Sequence, residues 1–296
     1  MKKAALTYGA GAVGVAPVNE RWFYSKDRTG KPIVFSDTHK EPTVADDGLY
    51  IPKSMNRIIV MLHPQDPHLM DTFPSALAVS ASVGWAASKT TDRDGAMAEF
   101  VRGLGYFAIA MADDTSLSIP IAIDAGLGEL GRNGLLINPV YGSNMRISKI
   151  LTDLPLTVDK PISFGAAEFC KTCMKCAEEC PVSAISADIE PTDKLRCPSN
   201  NRGMTKWYVD AWSCLKYSTQ AGGIYASDCT VCQFACPYSK PNTWIHTLAK
   251  TVPATTSAMN YTLRDLDDTF GYGKNSSTAK EWWANRNDPK WWNYKV

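Results

Sequence analysis

The order of apolar and polar positions predicts a mixed α/β first half. Arg57-Ile58-Ile59-Val60-Met61-Leu62 is an almost unbroken apolar run, short enough for a buried strand. From Asp94 to Leu104 the apolar positions Met97, Phe100, Val101 and Leu104 share one face at helical spacing, with Asp92 or Asp94 as cap and Gly103 and Gly105 at the end. Tyr106 to Met111 predicts a further strand, and Leu117–Ile123 and Leu135–Ile137 are additional apolar segments. Ala177 to Ile185 predicts a short helix. Residues 246–296 are polar but close on Trp282-Trp283 and Trp291-Trp292. Four indoles bury a large area, so this tail is expected to dock on the core.

Met1-Lys2-Lys3 followed by Ala4–Ala16 superficially resembles a leader. The stretch is poor in large apolar residues, and no small-residue cleavage site precedes Glu20-Arg21. It reads as folded structure, with no signal peptide and no twin-arginine signal. The 296 residues, 45% of them apolar, suffice for one large and one small domain. Lys and Arg total 31 against 30 Asp and Glu, a balance that argues against a general nucleic-acid binder. No apolar run is long enough for a transmembrane segment.

Cysteine spacing changes the picture most. Cys170, Cys173, Cys176 and Cys180 precede Pro181 in the C-x2-C-x2-C-x3-C-P pattern of two-cluster ferredoxins. Cys214, Cys229, Cys232 and Cys236, followed by Pro237, form a second run. In this pattern the fourth cysteine reaches across to the other cluster. Cys170, Cys173, Cys176 and Cys236 are therefore assigned to one 4Fe–4S cluster, and Cys180, Cys214, Cys229 and Cys232 to the second. Structural zinc uses paired C-x2-C units but has no use for the third cysteine or the trailing proline. Cys197 falls outside both patterns and reads as a small buried hydrophobe. The organisation expected is an α/β domain over 1–160, a ferredoxin-like domain over 161–245 and a C-terminal extension over 246–296.

Several further segments occur in a recognisable order. They are Tyr8-Gly9-Ala10-Gly11-Ala12-Val13-Gly14, Asn19-Glu20-Arg21-Trp22-Phe23-Tyr24-Ser25, Phe100-Val101-Arg102-Gly103-Leu104-Gly105-Tyr106, Ile123-Asp124-Ala125-Gly126-Leu127-Gly128-Glu129-Leu130-Gly131-Arg132, and Asp267-Asp268-Thr269-Phe270-Gly271-Tyr272-Gly273. With both cysteine runs, they resemble the catalytic subunit of the corrinoid-dependent reductive dehalogenases over almost the whole chain. The resemblance implies a nitroreductase-like α/β domain holding cobalamin or a related corrinoid, and a ferredoxin-like domain holding two 4Fe–4S clusters. It implies a small organohalide substrate, an electron donor, and a small membrane-anchor protein as partner. It also implies export to the outer face of the cytoplasmic membrane. Family members usually carry a sizeable segment before the first match, which here begins within ten residues of Met1.

The same resemblance exposes a departure. Similar enzymes place a tyrosine over the cobalt, with a cation beside it. Here no tyrosine lies between Tyr50 and Tyr106, and the matching stretch is Gly84-Trp85-Ala86-Ala87-Ser88-Lys89, with Ala87 at the tyrosine position. The matching cation is Arg146, and a polar position often held by Asn is Asp113. The proton is thus expected from Lys89 or Ser88, or from Asp113, or from a water held by Arg146. The bland readings are a solvated loop lysine, a turn serine and a capping aspartate.

Gly126 to Gly131 also spells the dinucleotide fingerprint G-x-G-x-x-G. No second β-α-β half follows, and Gly126 and Gly128 are read instead as a close backbone approach to a large planar cofactor. Trp212 and Tyr217 flank Cys214 and are expected to pack on the corrinoid or line a halocarbon pocket; ordinary packing is the alternative. Asp37-Thr38-His39 opens like a cobalt-binding histidine motif but has Pro42 where Gly is required, so the corrinoid is expected base-off with no His ligand. His63, His68 and His246 read as surface or core residues. Two rival functions remain: an epoxyqueuosine reductase-like enzyme, which would bind tRNA, and a ferredoxin-type electron carrier.

Overall fold

The structure, a computed structural model, describes residues 1–70, 76–220, 229–240 and 244–271. Two compact units emerge. One comprises Met1–Pro64, Ala86–Leu130 and Met145–Ser163, and the other Gln65–Trp85, Gly131–Asn144 and the chain from Phe164 onward. Trp282, Trp283, Trp291 and Trp292 lie outside the described residues.

In the first unit, α1 (Lys2–Thr7) leads into β1 (Ala12–Pro17). Three short strands, β2 (Ile33–Ser36), β3 (Thr43–Val44) and β4 (Leu49–Pro52), make a separate sheet in the order β2-β4-β3. The main sheet needs β5 (Arg57–Pro64), β6 (Ala108–Ala110) and β7 (Met145–Thr152), with α2 (Ala76–Gly103) and α3 (Ser118–Asp124) between them in the chain. Its order is β1-β5-β7-β6, and every neighbour pair is antiparallel.

The apolar run foreseen at Arg57–Leu62 is β5, a central strand. Ile58 through His63 are all fully buried, because both faces of the sheet are covered. Ile59 and Met61 join Ala5, Met97, Val101 and Ile150 in one cluster, while α3 packs against β1, β5 and β7. Strand pairing sets Ile59 opposite Ile150, Met61 opposite Ser148 and His63 opposite Arg146. Directly opposed residues share a face, so Ser148 and Arg146 continue the apolar layer as a polar end.

The helix predicted from Asp94 begins much earlier, at Ala76, and Asp94 is a buried mid-helix residue rather than a cap. The Leu117–Ile123 segment is the helix α3, with Pro120 in its first turn, where a missing N–H costs nothing. Tyr106–Met111 contracts to the three residues of β6.

The second unit is helical: α4 (Ala166–Thr172), α5 (Lys175–Glu178), α6 (Ala211–Gln220), α7 (Val231–Ala235), α8 (Trp244–Thr255) and α9 (Asn260–Thr269). The helix expected over Ala177–Ile185 stops at Glu178. Pro181 follows, Ser183 adopts φ +49°, and the Ala184 N–H turns back onto Cys180 Sγ at 3.3 Å. Buried Lys175 pairs with Asp267 and Asp268, tying α9 to the cysteine segment.

Two glycines separate packing from propensity. A Cβ at Gly14 would overlap the backbone carbonyl of Ala125, which cannot swing aside. A Cβ at Gly95, in α2, would meet nothing within 4 Å. Gly14→Ala should therefore destabilise by about 1–3 kcal/mol. Gly95→Ala should stabilise by up to about 1 kcal/mol. Urea unfolding of both variants checks the pair of signs.

Candidate functional site

Helix ends position the cysteines. Cys170 sits near the end of α4 and Cys173 just beyond it, Cys176 lies in α5, and Cys236 follows α7 directly before Pro237. Cys170, Cys173, Cys176 and Cys236 line one pocket with Arg132, Phe169 and Tyr238 among its walls. Burial, the largest cause, pushes the Cys173, Cys176 and Cys236 thiols up, and repulsion between thiolates adds to it for Cys173 and Cys176. Cys214, Cys229 and Cys232 are raised in the same way, by burial first and then by one another and Cys180. Cys176 and Cys232 also act on each other, so the two groups adjoin. Such thiols ionise only against a cationic core, and metal binding and deprotonation are coupled. The first pocket is dry, four-sided and lined by thiols, a donor set that fits a cubane cluster.

Arg132 was not singled out as a site residue by the sequence. It is fully buried at 0% exposure. Its Nε and Nη2 donate to the Cys170 carbonyl at 2.9 and 2.7 Å, and Nη1 donates to the carbonyls of Ser186 and Asp188 at 2.7 and 2.6 Å. The guanidinium lies 4.6 Å from the Trp207 ring centre, and the Arg132 N–H points at Cys170 Sγ at 3.5 Å. One residue thus fixes the end of α4 and supplies a positive charge beside the thiols.

Trp212 and Tyr217 both lie on α6, either side of Cys214. Trp212 is 59% exposed and Leu215, one turn on, 55%, so the pair offers an apolar ledge; Tyr217 is half-buried. Gly126 has φ +71°, and a Cβ there would meet the Lys160 carbonyl at 2.6 Å. The protein's own backbone thus uses its freedom, which accounts for that glycine without a ligand. Gly128 is buried.

In the first unit a chain of polar side chains is buried at the polar end of the sheet. His63 Nε2 and Ser148 Oγ are 2.8 Å apart, and Arg93 Nη1 approaches His63 Nδ1 at 3.3 Å. An arginine only donates, so Nδ1 accepts and Nε2 carries the proton that goes to Ser148. Ser148 also lies close enough to Asp94 to favour its charged form, but both Asp94 carboxylate oxygens are buried without a hydrogen-bond partner. Burial, with Arg93 and Lys89 adding repulsion, lowers His63 to about 4. Burial raises Asp94 to about 6, against the nearby Ser148 hydroxyl and the Lys149 charge. Lys149 is fully buried, donates to Ser116 O at 2.8 Å and Ser118 Oγ at 2.7 Å, and is lowered to about 8 by burial.

The three proton-donor candidates border this chain to different degrees. Arg146 stands opposite His63 across the β5–β7 pairing. Lys89 lies one turn before Arg93 on α2 and is half-buried in a helix, not in a loop. Ser88 and Ala87, also helical, are exposed. Asp113 is exposed in the turn after β6, where its charge acts on Lys149. Only one signal could have marked the buried chain, namely His63 extending a fully apolar strand.

Comparisons with known proteins fit this geometry. Residues 169–240 match the 4Fe-4S dicluster domain family. The class so defined is an iron–sulfur protein with an α/β companion unit. Within that class, the chain is 35% identical over 95% of its length to the tetrachloroethene reductive dehalogenase of Sulfurospirillum multivorans. It spans 58% of that relative's length. A catabolic reductive dehalogenase solved with 3-bromo-4-hydroxybenzoic acid superposes with TM-score 0.76 at 26% identity, covering 92% of this chain and 36% of its own. A second solved reductive dehalogenase, described as B12-dependent, gives TM-score 0.75 at 27% identity over the same shares. A weaker likeness, 29% identity over 58% of this chain and 47% of the relative, reaches the epoxyqueuosine reductase of Lactococcus garvieae. The chain is thus similar to reductive dehalogenases and shares the fold of the part it matches. Among the described residues no helix is long and apolar enough to cross a membrane.

The raised carboxyl gives a signed pH test. Between its ordinary 3.8 and about 6, folded Asp94 keeps a proton that the unfolded chain releases. Its contribution to stability is present below that window and lost as pH rises through it. Asp94→Asn lacks this loss, while His63 is common to both proteins. The stability of the variant relative to the parent should therefore increase from pH 4.5 to pH 7.5 in urea melts at the two pH values.

Proposed function

We propose that the chain is a reductive dehalogenase that replaces halogen by hydrogen in a small organohalide. The balance is one carbon–halogen bond broken, two electrons and one proton taken up, and halide released. The likeness across 95% of the chain to a tetrachloroethene reductive dehalogenase carries this reading. The cysteine groups support the electron path: Cys170, Cys173, Cys176 and Cys236 would hold one 4Fe–4S cluster, and Cys180, Cys214, Cys229 and Cys232 the other. Electrons arrive from a separate low-potential donor and pass between the adjoining groups near Cys176 and Cys232.

A cobalamin-type corrinoid, base-off and without a histidine ligand, would supply the strong electron donor for the carbon–halogen bond when bound. The exposed Trp212–Leu215 ledge beside Cys214 fits a large planar ring, and Tyr217 would complete it. The surrounding protein orients the substrate, excludes water and delivers the proton. Lacking the usual tyrosine, it delivers that proton from Lys89 or Ser88, from Asp113, or from a water held by Arg146. His63 is no acid at neutral pH, since burial keeps it neutral with its proton on Nε2. A small membrane anchor and the outer face of the cytoplasmic membrane complete the proposal.

Anaerobic reconstitution with iron, sulfide and cobalamin should give about eight irons and one cobalt per chain. Reduced by a viologen, that protein should release halide from a chlorinated ethene or a bromophenol. Full metal content without halide release, together with binding of a tRNA stem-loop, would favour the epoxyqueuosine-type reading. Iron without cobalt would favour a ferredoxin-type carrier. Within the dehalogenase reading, Arg146→Ala should lower halide release on the order of a hundredfold while leaving iron and cobalt intact. Near-parental turnover would remove Arg146 from the proton route.

A further inference from the structure

We infer that Arg132, with Lys250 near Cys236, raises the reduction potential of the cluster held by Cys170, Cys173, Cys176 and Cys236. The inference rests on the two-cluster reading above. Reduction adds an electron to a centre that four thiolates already make negative. A cation fixed nearby in a dry interior stabilises the reduced form more than the oxidised one, because the interaction scales with the added charge. The potential of such clusters is set by net charge, hydrogen bonds to sulfur and exposure.

Arg132 meets those conditions by geometry. It lines the pocket and is fully buried. Its guanidinium hydrogen bonds go to the carbonyls of Cys170, Ser186 and Asp188, which are neutral. Asp188 contributes its carbonyl to Arg132, while its exposed carboxylate takes the Ser186 hydroxyl at 2.7 Å, where water screens it. The positive charge is therefore not cancelled in place. The Arg132 N–H adds a hydrogen bond to Cys170 Sγ. Near Cys236, Lys250 is 9% exposed and donates to the Lys240 carbonyl at 3.0 Å. Lys175, equally close to the cysteines, is matched by Asp267 and Asp268 and adds little net charge. Among the described residues, Cys214 has Asp210 rather than a cation as its charged neighbour.

The test is a redox titration of the reconstituted protein at pH 7, followed by electron paramagnetic resonance of both clusters. Arg132→Met should make one cluster at least tenfold harder to reduce at fixed ambient potential, about 59 mV for a one-electron centre. The other cluster should stay in place. Arg132→Lys, which keeps the charge, should recover most of the shift. If Arg132→Met fails to assemble its irons, Lys250→Met reports from the Cys236 end of the same cysteine group, and its shift should have the same sign. A fully loaded Arg132→Met with both midpoints unmoved overturns the inference. So does an Arg132→Lys shift as large as that of the methionine variant, or an unmoved Lys250→Met where the arginine variant does not assemble. A parent protein without about eight irons overturns the two-cluster reading instead, a result separate from these.

Discussion

Thiols gathered round a dry pocket repel one another as soon as they ionise, and water is not there to help. Cys173, Cys176, Cys232 and Cys236 are all held in their protonated form by this environment. The thiolate state that a cluster requires is reached only with a cationic iron core in place. Folding of the second unit and binding of a cluster by these thiols would therefore be coupled. That dependence explains the unit's construction. Its helices around the cysteines are short, with α5 of four residues and α7 of five. Helices this short are marginal alone and gain their stability from what they pack against.

The ties that do not involve sulfur reinforce the same region. Arg132 joins Cys170 to the carbonyls of Ser186 and Asp188, and Trp207 covers it while donating to Asp188 O at 2.9 Å. Gln233 donates to the Ser143 carbonyl at 2.7 Å, anchoring α7. Each tie ends on a backbone carbonyl. A lost carbonyl partner leaves a buried donor unsatisfied, and that desolvation cost exceeds the net worth of the bond itself. The cysteine geometry is thus held by polar contacts that tolerate little change, as a site with fixed metal–thiolate distances requires.

The legible part of the sequence was the part with strong local signals. The apolar run became β5 because a central antiparallel strand covered on both faces needs unbroken hydrophobicity. The cysteine spacing pointed to thiols that do gather in the fold. The misread segments failed where tertiary contacts override local preference. Ala177–Ile185 has helical composition, yet its N–H at Ala184 goes to the Cys180 sulfur rather than up a helix. The first half of α2 is rich in Ala and Ser and shows no apolar period, so its start at Ala76 was invisible and Asp94 looked like a cap. Arg132, Asp94 and Lys149 are charged residue types that are normally exposed. Their burial is allowed only by partners far along the chain, and no local pattern reports those.

The polar end of the first unit gathers titratable groups inside the sheet. Along the helix-facing side of β5, Ile59 and Met61 are apolar and His63 is not; along β7, Ile150 gives way to Ser148 and Arg146. Burying polar groups is costly unless each is satisfied; here Arg93 donates to His63 and His63 to Ser148, whereas both Asp94 carboxylate oxygens are buried without a hydrogen-bond partner. Such an order has a direction. It holds a neutral imidazole with its proton on Nε2, and beyond Ser148 lies a carboxyl that burial raises to about 6. Arg146 stands beside that array, and Lys89 reaches it from α2.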